Sequence, residues 1–236
     1  MKYARTGLAG FALMGASLVA GLAWAQAASA APNLDGTWKI DKPRAVLVPT
    51  ADALPFTPQA RARYEDNKRA HDSGHYEYDA VQTLCATPGL PRLMLTPVRF
   101  HIWQRRDLVT FQFEWNHLFY QVDMTDRASE PRLVGVNIGE SRGKWQGDTL
   151  VIRTGNFTDQ TLLDSLVPHS DELALTQRFR LIDANTLEDR VTIEDPRTFT
   201  RPWEAVIRYA RQPDAPFPED VCIDRRHAGK LPLPPT

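Results

Sequence analysis

A histidine and a carboxylate lie two residues apart in the segment Pro168-His169-Ser170-Asp171. Histidine exchanges protons near neutral pH, and a neighbouring carboxylate fixes its tautomer and raises its basicity. The segment falls in a loop between predicted β regions, where functional residues are often placed. The alternative is a structural turn, because Ser170 and Asp171 can hydrogen-bond to their own backbone. His169 and Asp171 are therefore candidate catalytic residues, with the turn as the alternative.

Glu114 and His117 form a second candidate acid–base pair, three residues apart. Glu114 lies on the more polar face of an otherwise apolar stretch, and His117 falls at a predicted hairpin tip. If that face lines an enclosed cavity, desolvation raises the pKa of the Glu114 carboxyl into a range that suits proton transfer. If the face is exposed, both residues are ordinary surface residues, because a sheet covered on one side has a polar outer face.

Four further side chains are candidates for binding a substrate. Tyr120 follows on the next strand and can approach Glu114 across the hairpin. His101 lies in an alternating run that does not fix its orientation, and Trp103 follows two residues later. Arg178 can anchor a carboxylate or a phosphate, although a strand-surface position is the simpler interpretation. The apolar runs around the tryptophans also favour core positions for Trp103, Trp115, Trp145 and Trp203.

The sequence predicts no metal and no cofactor. His71 and His75 are four residues apart, but Gly74 interrupts the predicted helix between them and no third ligand is nearby. The segment 139–143 matches Gly-x-Ser-x-Gly, yet the surrounding pattern is not that of an α/β-hydrolase. No Gly-rich phosphate loop follows a strand. A zinc site, a hydrolase triad and a nucleotide-binding fold are therefore set aside.

About nine short strands must position the candidate residues. Between Leu108 and Trp115, apolar and polar residues alternate with the period of two that is typical of a strand. Asn116-His117 separates this run from the next, as expected for a hairpin turn. Further strands are predicted at 34–40, 99–102, 118–124, 132–138, 143–146, 149–152, 172–181, 186–194 and 203–211. Short strands at even spacing predict an all-β antiparallel barrel or sandwich.

A single helix is predicted near the N-terminus of the mature chain. Thr57 and Pro58 match an N-cap and a first helical position, and the helix runs to about His71. The helix is charged on most sides, so we expect it on the surface.

The N-terminus has the layout of a cleaved export signal. Lys2 and Arg5 precede an uncharged stretch from Gly7 to Trp24, and small-x-small sites end at Ala30. We expect residues 1–30 to be removed, which leaves a mature chain without a second long apolar run. The prediction is a periplasmic or secreted protein that does not enter a membrane after cleavage.

The mature chain is expected to form one domain over residues 31–222. Residues 31–92 supply a strand, a helix and a Pro-rich loop, residues 93–222 supply the barrel core, and residues 223–236 form an extended tail. The formal net charge of −1 argues against a nucleic-acid partner. The sequence leaves the oligomeric state open.

Cys85 and Cys222 are the two cysteines of the chain. In an exported protein an isolated pair predicts a disulfide. A nucleophilic or metal-binding cysteine would need a partner pattern nearby, and none is present.

Several motifs resemble those of a family of exported bacterial proteins that is chiefly uncharacterised. They are Gly139-x-Ser141-x-Gly143-x-Trp145-x-Gly147-Asp148-Thr149-Leu150-Val151, Pro168-His169-Ser170-Asp171-x-Leu173, and a Cys-x-x-Pro-Gly-x-Pro-Arg segment at 85–92. The resemblance covers roughly residues 85–222. Gln146 replaces the acidic residue that is usual after the motif Trp. The family implies no reaction.

The segment Gly36-Thr37-Trp38 resembles the Gly-x-Trp start of lipocalin-like barrels. With the strand count, this resemblance favours a barrel over a sandwich, and it implies a central cavity for a small, partly apolar ligand.

Two classes of function follow. The first is a cofactor-independent enzyme, a lyase, isomerase or hydratase, whose acid and base come from His169 with Asp171 or from Glu114 with His117. The second is a non-catalytic binding or carrier protein with the same fold. The enzyme hypothesis, which we favour slightly, predicts that several of these residues meet in one pocket. The carrier hypothesis predicts an apolar, aromatic pocket with those residues at its rim or outside it.

Overall fold

The computed structural model of the chain describes Met1 and residues 31–43, 46–50, 53–125, 135–214 and 216–233. The predicted export signal and the first half of the predicted strand at 132–138 lie outside the described residues. The strands are β1 (Gly36–Ile40), β2 (Arg99–Gln104), β3 (Leu108–Phe113), β4 (Phe119–Asp123), β5 (Glu140–Gln146), β6 (Thr149–Gly155), β7 (Ala174–Asp183), β8 (Thr186–Glu194) and β9 (Trp203–Arg211). The helices are α1 (Pro58–Asp72), α2 (Ala80–Leu84), α3 (Arg92–Leu95) and α4 (Cys222–His227).

The nine strands form a closed barrel in which each strand pairs with its neighbour in sequence and β9 pairs with β1. The predicted all-β barrel of nine strands is confirmed, and its strands follow one another in chain order around the barrel, as in lipocalin-like barrels. The prediction of a wholly antiparallel sheet is wrong at one place. β4 and β5 are parallel, with Val122 opposite Ser141 and Asp123 opposite Arg142. Residues 124–139 connect these strands, and parallel neighbours need a connection of about a dozen residues or more.

Alternation of side chains along each strand fills the barrel interior with apolar groups. In β3, Val109, Phe111 and Phe113 are buried, and in β7 Leu175 and Phe179 are buried. Because successive side chains of a strand point to opposite faces, these residues all line the inside. Burial of each large apolar side chain contributes roughly 1.5–3 kcal/mol, so the inward rows are the main source of stability.

The helix α1 begins and lies where the sequence predicts. The Thr57 hydroxyl accepts a 3.3 Å hydrogen bond from the Ala60 N–H, and Pro58 occupies the first turn. Ala60 and Asn67 are its buried residues, so the helix lies on the surface. The structure also contains three short helices, α2, α3 and α4, whereas the sequence predicts a single helix. None of the helices within the described residues is both long enough and apolar enough to cross a membrane.

A disulfide links Cys85 and Cys222 across 137 residues, with 6.0 Å between their Cα atoms, which confirms the predicted pairing. The prediction of an extended tail after this cysteine is wrong. α4 follows directly, Leu233 is buried in the core, and the Trp115 Nε1–H donates a 2.9 Å hydrogen bond to the Pro232 carbonyl. This arrangement buries the apolar side chain of Leu233, whereas an extended tail would leave that side chain in water.

Candidate ligand-binding site

Two neighbouring polar side chains lie among the apolar residues of β7 and β8 inside the barrel. Gln177 lies on β7 between the inward residues Leu175 and Phe179, and Asp189 lies on β8 among inward apolar residues. Both are completely buried. They belong to the inward rows because they share the period of two with their apolar neighbours.

One hydrogen bond joins the two side chains. The Gln177 Nε2–H donates to Asp189 Oδ2 at 2.7 Å. Gln177 Oε1, Asp189 Oδ1 and the hydroxyl of Tyr209, which is also fully buried, have no hydrogen-bond partner in the described structure. A buried polar atom without a partner costs about 1–3 kcal/mol. Three such atoms in one barrel interior therefore indicate a place where a bound molecule would add hydrogen bonds.

Burial changes the ionisation of this cluster. Desolvation raises the pKa of the Asp189 carboxyl to about 7, and the hydrogen bonds from Gln177 and the Arg178 backbone offset only part of that effect. Desolvation also raises the pKa of Tyr209 well above its usual value, and the Asp189 charge adds to that shift. Tyr209 is therefore neutral at physiological pH, whereas Asp189 is poised between its neutral and ionised forms.

Aromatic rings surround the interior beside this cluster. Phe179 is directly opposite Asp189 on the adjacent strand. The rings of Phe111 and Phe179 are 5.3 Å apart between centroids, those of Phe111 and Tyr120 are 5.1 Å apart, and the Tyr209 ring contacts Phe100 edge-on at 5.0 Å. Contacts of this geometry are stabilising, and the rings pack against one another inside the barrel.

Tyr120, which was predicted to contact a substrate, lies inside the barrel in a second polar group. Its hydroxyl is 3.5 Å from Thr154 Oγ1, which is 2.7 Å from Ser141 Oγ. Burial raises the pKa of Tyr120 to about 12, so it acts as a neutral hydrogen-bonding group. Tyr120 is the predicted site residue that faces the interior.

A cavity of about 320 Å³ opens in the barrel wall where β1 separates from β9. The chain leaves β9 after the Asp41 N–H to Arg208 carbonyl bond and returns to it where Pro49 bridges Ala205. We call this opening the seam cavity. Its walls are Ile40, Asp41, Lys42, Val46, Leu47, Val48, Leu95, Ala205, Val206, Ile207 and Arg208. Ile207 is opposite Asp189 on the next strand, and Ile40 is opposite Tyr209. Two wall residues of the seam cavity are thus cross-strand neighbours of Asp189 and Tyr209, which are not themselves part of its walls.

His169 is buried, and both of its ring nitrogens are occupied. Nδ1 lies 2.9 Å from the Ser170 carbonyl, which can only accept, so Nδ1 carries the proton. Nε2 then accepts the Thr161 hydroxyl at 2.7 Å. Desolvation lowers the pKa of His169, which keeps the ring neutral. These contacts are those of a structural histidine in an ordered loop.

Asp171 does not contact His169. Its side chain is 61% exposed and pairs with Arg197 at 2.7 Å. The carboxylate that organises this loop is Asp195, which accepts hydrogen bonds from the Ser170 backbone and hydroxyl at 2.6 and 2.8 Å. The predicted pairing of His169 with Asp171 is therefore wrong, and the turn is the alternative that the geometry supports.

Glu114 and His117 lie at the β3–β4 turn, away from the interior cluster. The Glu114 carboxylate pairs with Arg99, whose Nε–H and backbone N–H donate at 2.7 and 2.9 Å. His117 stacks on Phe217 with 6.1 Å between ring centroids, and its Nε2 is buried without a partner. The four predicted catalytic residues therefore do not meet in one pocket.

The remaining predicted binding residues face outward. His101 hydrogen-bonds Thr37 Oγ1 at 2.9 Å, and Trp103, which is 43% exposed, lies beside it with 4.1 Å between ring centroids. Together they line an outer groove of about 290 Å³ with Gln112, Asp214 and Phe217. The predicted core position of Trp103 is wrong, because Phe100 and Ile102 take the inward positions of β2.

Arg178 also lies on the outer face, where its Nη1 donates a 3.2 Å hydrogen bond to Thr192 Oγ1. Asp189, Gln177 and Tyr209 were not among the predicted site residues. For Asp189 and Gln177 the sequence contains a signal, a polar residue within an inward apolar row, at Leu187-x-Asp189-x-Val191 and Leu175-x-Gln177-x-Phe179.

Comparisons with known proteins do not assign a family. No family model matches the chain, and no curated protein matches it. A solved structure that does match is a point mutant of the fluorescent protein UnaG, at 17% identity over 75% of this chain and 95% of that chain, with a TM-score of 0.32. That score is too low to support an argument about the ligand. The motif resemblance to an exported bacterial family stays a prediction.

Proposed function

We propose that this protein binds a small, partly apolar organic molecule inside its barrel, with Asp189 and Gln177 as the polar anchor. The observation that carries the proposal is the set of three buried polar atoms without partners, on Asp189, Gln177 and Tyr209, among mainly aromatic and aliphatic side chains. Pockets for small molecules combine an apolar lining with a few polar groups in this way. The seam cavity offers the route by which a molecule would reach them.

Acid–base catalysis on such a molecule is the second candidate. A carboxyl whose pKa is raised to about 7 matches the pH at which a general acid or base is most effective. Under this second hypothesis, Asp189 transfers a proton to or from the bound molecule, and the protein is a lyase or isomerase. Catalysis by His169 or Glu114, the residues that the sequence suggests, makes a different prediction, since substitution of either by Ala would then abolish turnover.

The place of action that we propose is the periplasm or the exterior of the cell. The disulfide between Cys85 and Cys222 is a bond that persists in oxidising compartments. The leader-like sequence at 1–30 supplies the export signal for that route.

The binding proposal is tested on the chain as it is processed by an exporting host. The purified protein is denatured, and the released small molecules are identified by mass spectrometry. Two variants are treated alongside, Asp189→Asn and a control, Asp159→Asn, which removes an exposed carboxylate outside the barrel. We expect a stoichiometric organic molecule from the native protein and the control, and a loss from Asp189→Asn. Equal retention by all three proteins would contradict the assignment of the anchor.

A further inference from the structure

We infer that the molecule bound in the barrel is an organic ammonium ion, held through its N–H groups by Asp189 and Gln177 with its apolar part against the aromatic rings. This inference rests on the proposed binding function and specifies the chemical class of the ligand.

The unpartnered atoms of the anchor are hydrogen-bond acceptors. Because the Gln177 amide nitrogen donates to Asp189 Oδ2, the amide oxygen is the free end of that side chain. In the ionised form of Asp189, Oδ1 is the second free acceptor. Neither atom can be satisfied by a ligand that offers only acceptors, so the ligand must bring donors. An ammonium group carries several donors on one atom and can serve both oxygens.

The ionised form of Asp189, which predominates above about pH 7, also favours a cation. No Lys or Arg in the described part of the chain forms an ion pair with Asp189. Elsewhere the protein neutralises a buried carboxylate internally, since Asp79 receives two hydrogen bonds from the buried Arg92 guanidinium at 2.9 and 2.6 Å. A buried ionised carboxylate without such a partner is strongly unfavourable. A cationic ligand would therefore supply the missing partner of Asp189.

Neighbouring groups do not fill this role. Glu188, next to Asp189 in sequence, pairs with Arg208 through hydrogen bonds of 3.0 and 2.9 Å, so this arginine is already engaged. Tyr120 and Tyr209 face the interior and are neutral. Their influence on Asp189 comes through dipoles and not through positive charge.

The aromatic lining suits the same ligand. Cations are attracted to the faces of aromatic rings, and proteins recognise organic ammonium ions with such rings. The interior presents the rings of Phe100, Phe111, Phe179, Tyr120 and Tyr209. An ammonium ion with an aryl or alkyl substituent would use both the rings and the acceptors, whereas a neutral hydrocarbon would leave the acceptors unsatisfied.

The test compares two probes of nearly equal size, 2-phenylethylammonium and 2-phenylethanol, by isothermal titration calorimetry at pH 8. The native protein should bind the ammonium probe at least tenfold more tightly than the alcohol. Asp189→Asn should lose at least tenfold of the ammonium affinity and keep its affinity for the alcohol, and Asp159→Asn should bind as the native protein does. Thermal melting verifies that each variant is folded.

The outcomes separate this inference from the binding proposal. If the alcohol binds as tightly as the ammonium probe, or if Asp189→Asn binds both unchanged, the ligand class is wrong while binding in the barrel stands. If neither probe binds, the inference is also overturned, and the analysis of released molecules decides the binding proposal independently. A crystal structure with water on Asp189 Oδ1 in the presence of the ammonium probe would overturn it as well, since buried water can bridge such atoms. If Asp189→Asn does not fold, the comparison of the two probes on the native protein still decides.

Discussion

Asp189 and Ile207 stand directly opposite one another on β8 and β9, and Ile207 is also part of the wall of the seam cavity. One residue pair therefore connects the buried carboxyl to the opening in the barrel wall. This relationship makes the ionisation of Asp189 sensitive to whatever enters there, because a bound charge would act on it at short range through a medium of low dielectric constant.

The ionisation of Asp189 should make stability depend on pH. Its pKa is raised in the folded state to about 7 from 3.8, so the folded protein binds the extra proton between these values. Stability from this group is therefore full below about pH 4 and is lost as the pH rises through about 7. Asp189→Asn removes the effect. We expect the variant to gain stability relative to the native protein between pH 5 and pH 8, measured as the difference in the free energy of unfolding by urea titration.

The result that would contradict this expectation is an identical pH profile for the two proteins. Asp159→Asn is the control, because it changes the same chemical group on the surface.

Breaking the buried pair of Arg92 and Asp79 should be strongly destabilising. Both side chains are at most 3% exposed, and Asp79 also caps α2 by accepting the Val81 N–H at 3.0 Å. Asp79→Ala leaves a buried guanidinium without a partner, which costs about 3–5 kcal/mol. Thermal and urea unfolding measure the loss. The double variant Arg92→Met, Asp79→Ala should recover part of it, and a double variant as unstable as the sum of the singles would show that the two side chains are not coupled.

His169 should prove to be a structural residue. Because its pKa is lowered by burial in the folded state, the unfolded chain takes up a proton that the folded one does not. Stability from this group is present above its ordinary value of 6.5 and falls as the pH drops below it. His169→Gln should lower the melting temperature and flatten this acid limb, while affinity for the barrel ligand is unchanged. A loss of ligand affinity at unchanged melting temperature would return His169 to the candidate site.

Loss of the disulfide should weaken the whole fold. A link across 137 residues is expected to contribute about 4–5 kcal/mol by restricting the unfolded chain. Cys85→Ser with Cys222→Ser should therefore lower the melting temperature markedly, and a reducing agent should lower that of the native protein to a similar value. Insensitivity of the native protein to the reductant would argue that the bond contributes little.

Local patterns made the strands and turns predictable from the sequence. The alternation in β3 is followed by Asn116 and His117 with φ angles of 50° and 44°, the left-handed conformation that a tight hairpin requires. Thr57 and Pro58 marked the start of α1 in the same way. Each of these signals depends on residues that are near one another in sequence.

The partners of the predicted catalytic residues are set by long-range contacts and could not be predicted from the sequence. Glu114 is held by Arg99, and Asp171 by Arg197, and neither partner could be chosen without the strand register. The parallel pairing of β4 with β5 is likewise determined by the path of the connecting chain, and the residue pattern of the two strands does not indicate it. Asp189 and Gln177 could have been found, since a polar residue in an inward row is a local signal once the buried face is known.

The attachment of α4 to the rest of the molecule has a further consequence for where the chain can mature. Cys222 lies among residues that close over the β3–β4 turn: Asp220 bridges Trp115, and the Cys222 N–H donates a 2.7 Å hydrogen bond to Asn116 Oδ1. In a reducing compartment the disulfide between Cys85 and Cys222 would not form. Trp115 and Leu233 would then become exposed whenever the segment that contains Cys222 detached. If the protein is exported as proposed, chains that remain in a reducing compartment would expose this apolar end, and chaperones and proteases act on such surfaces.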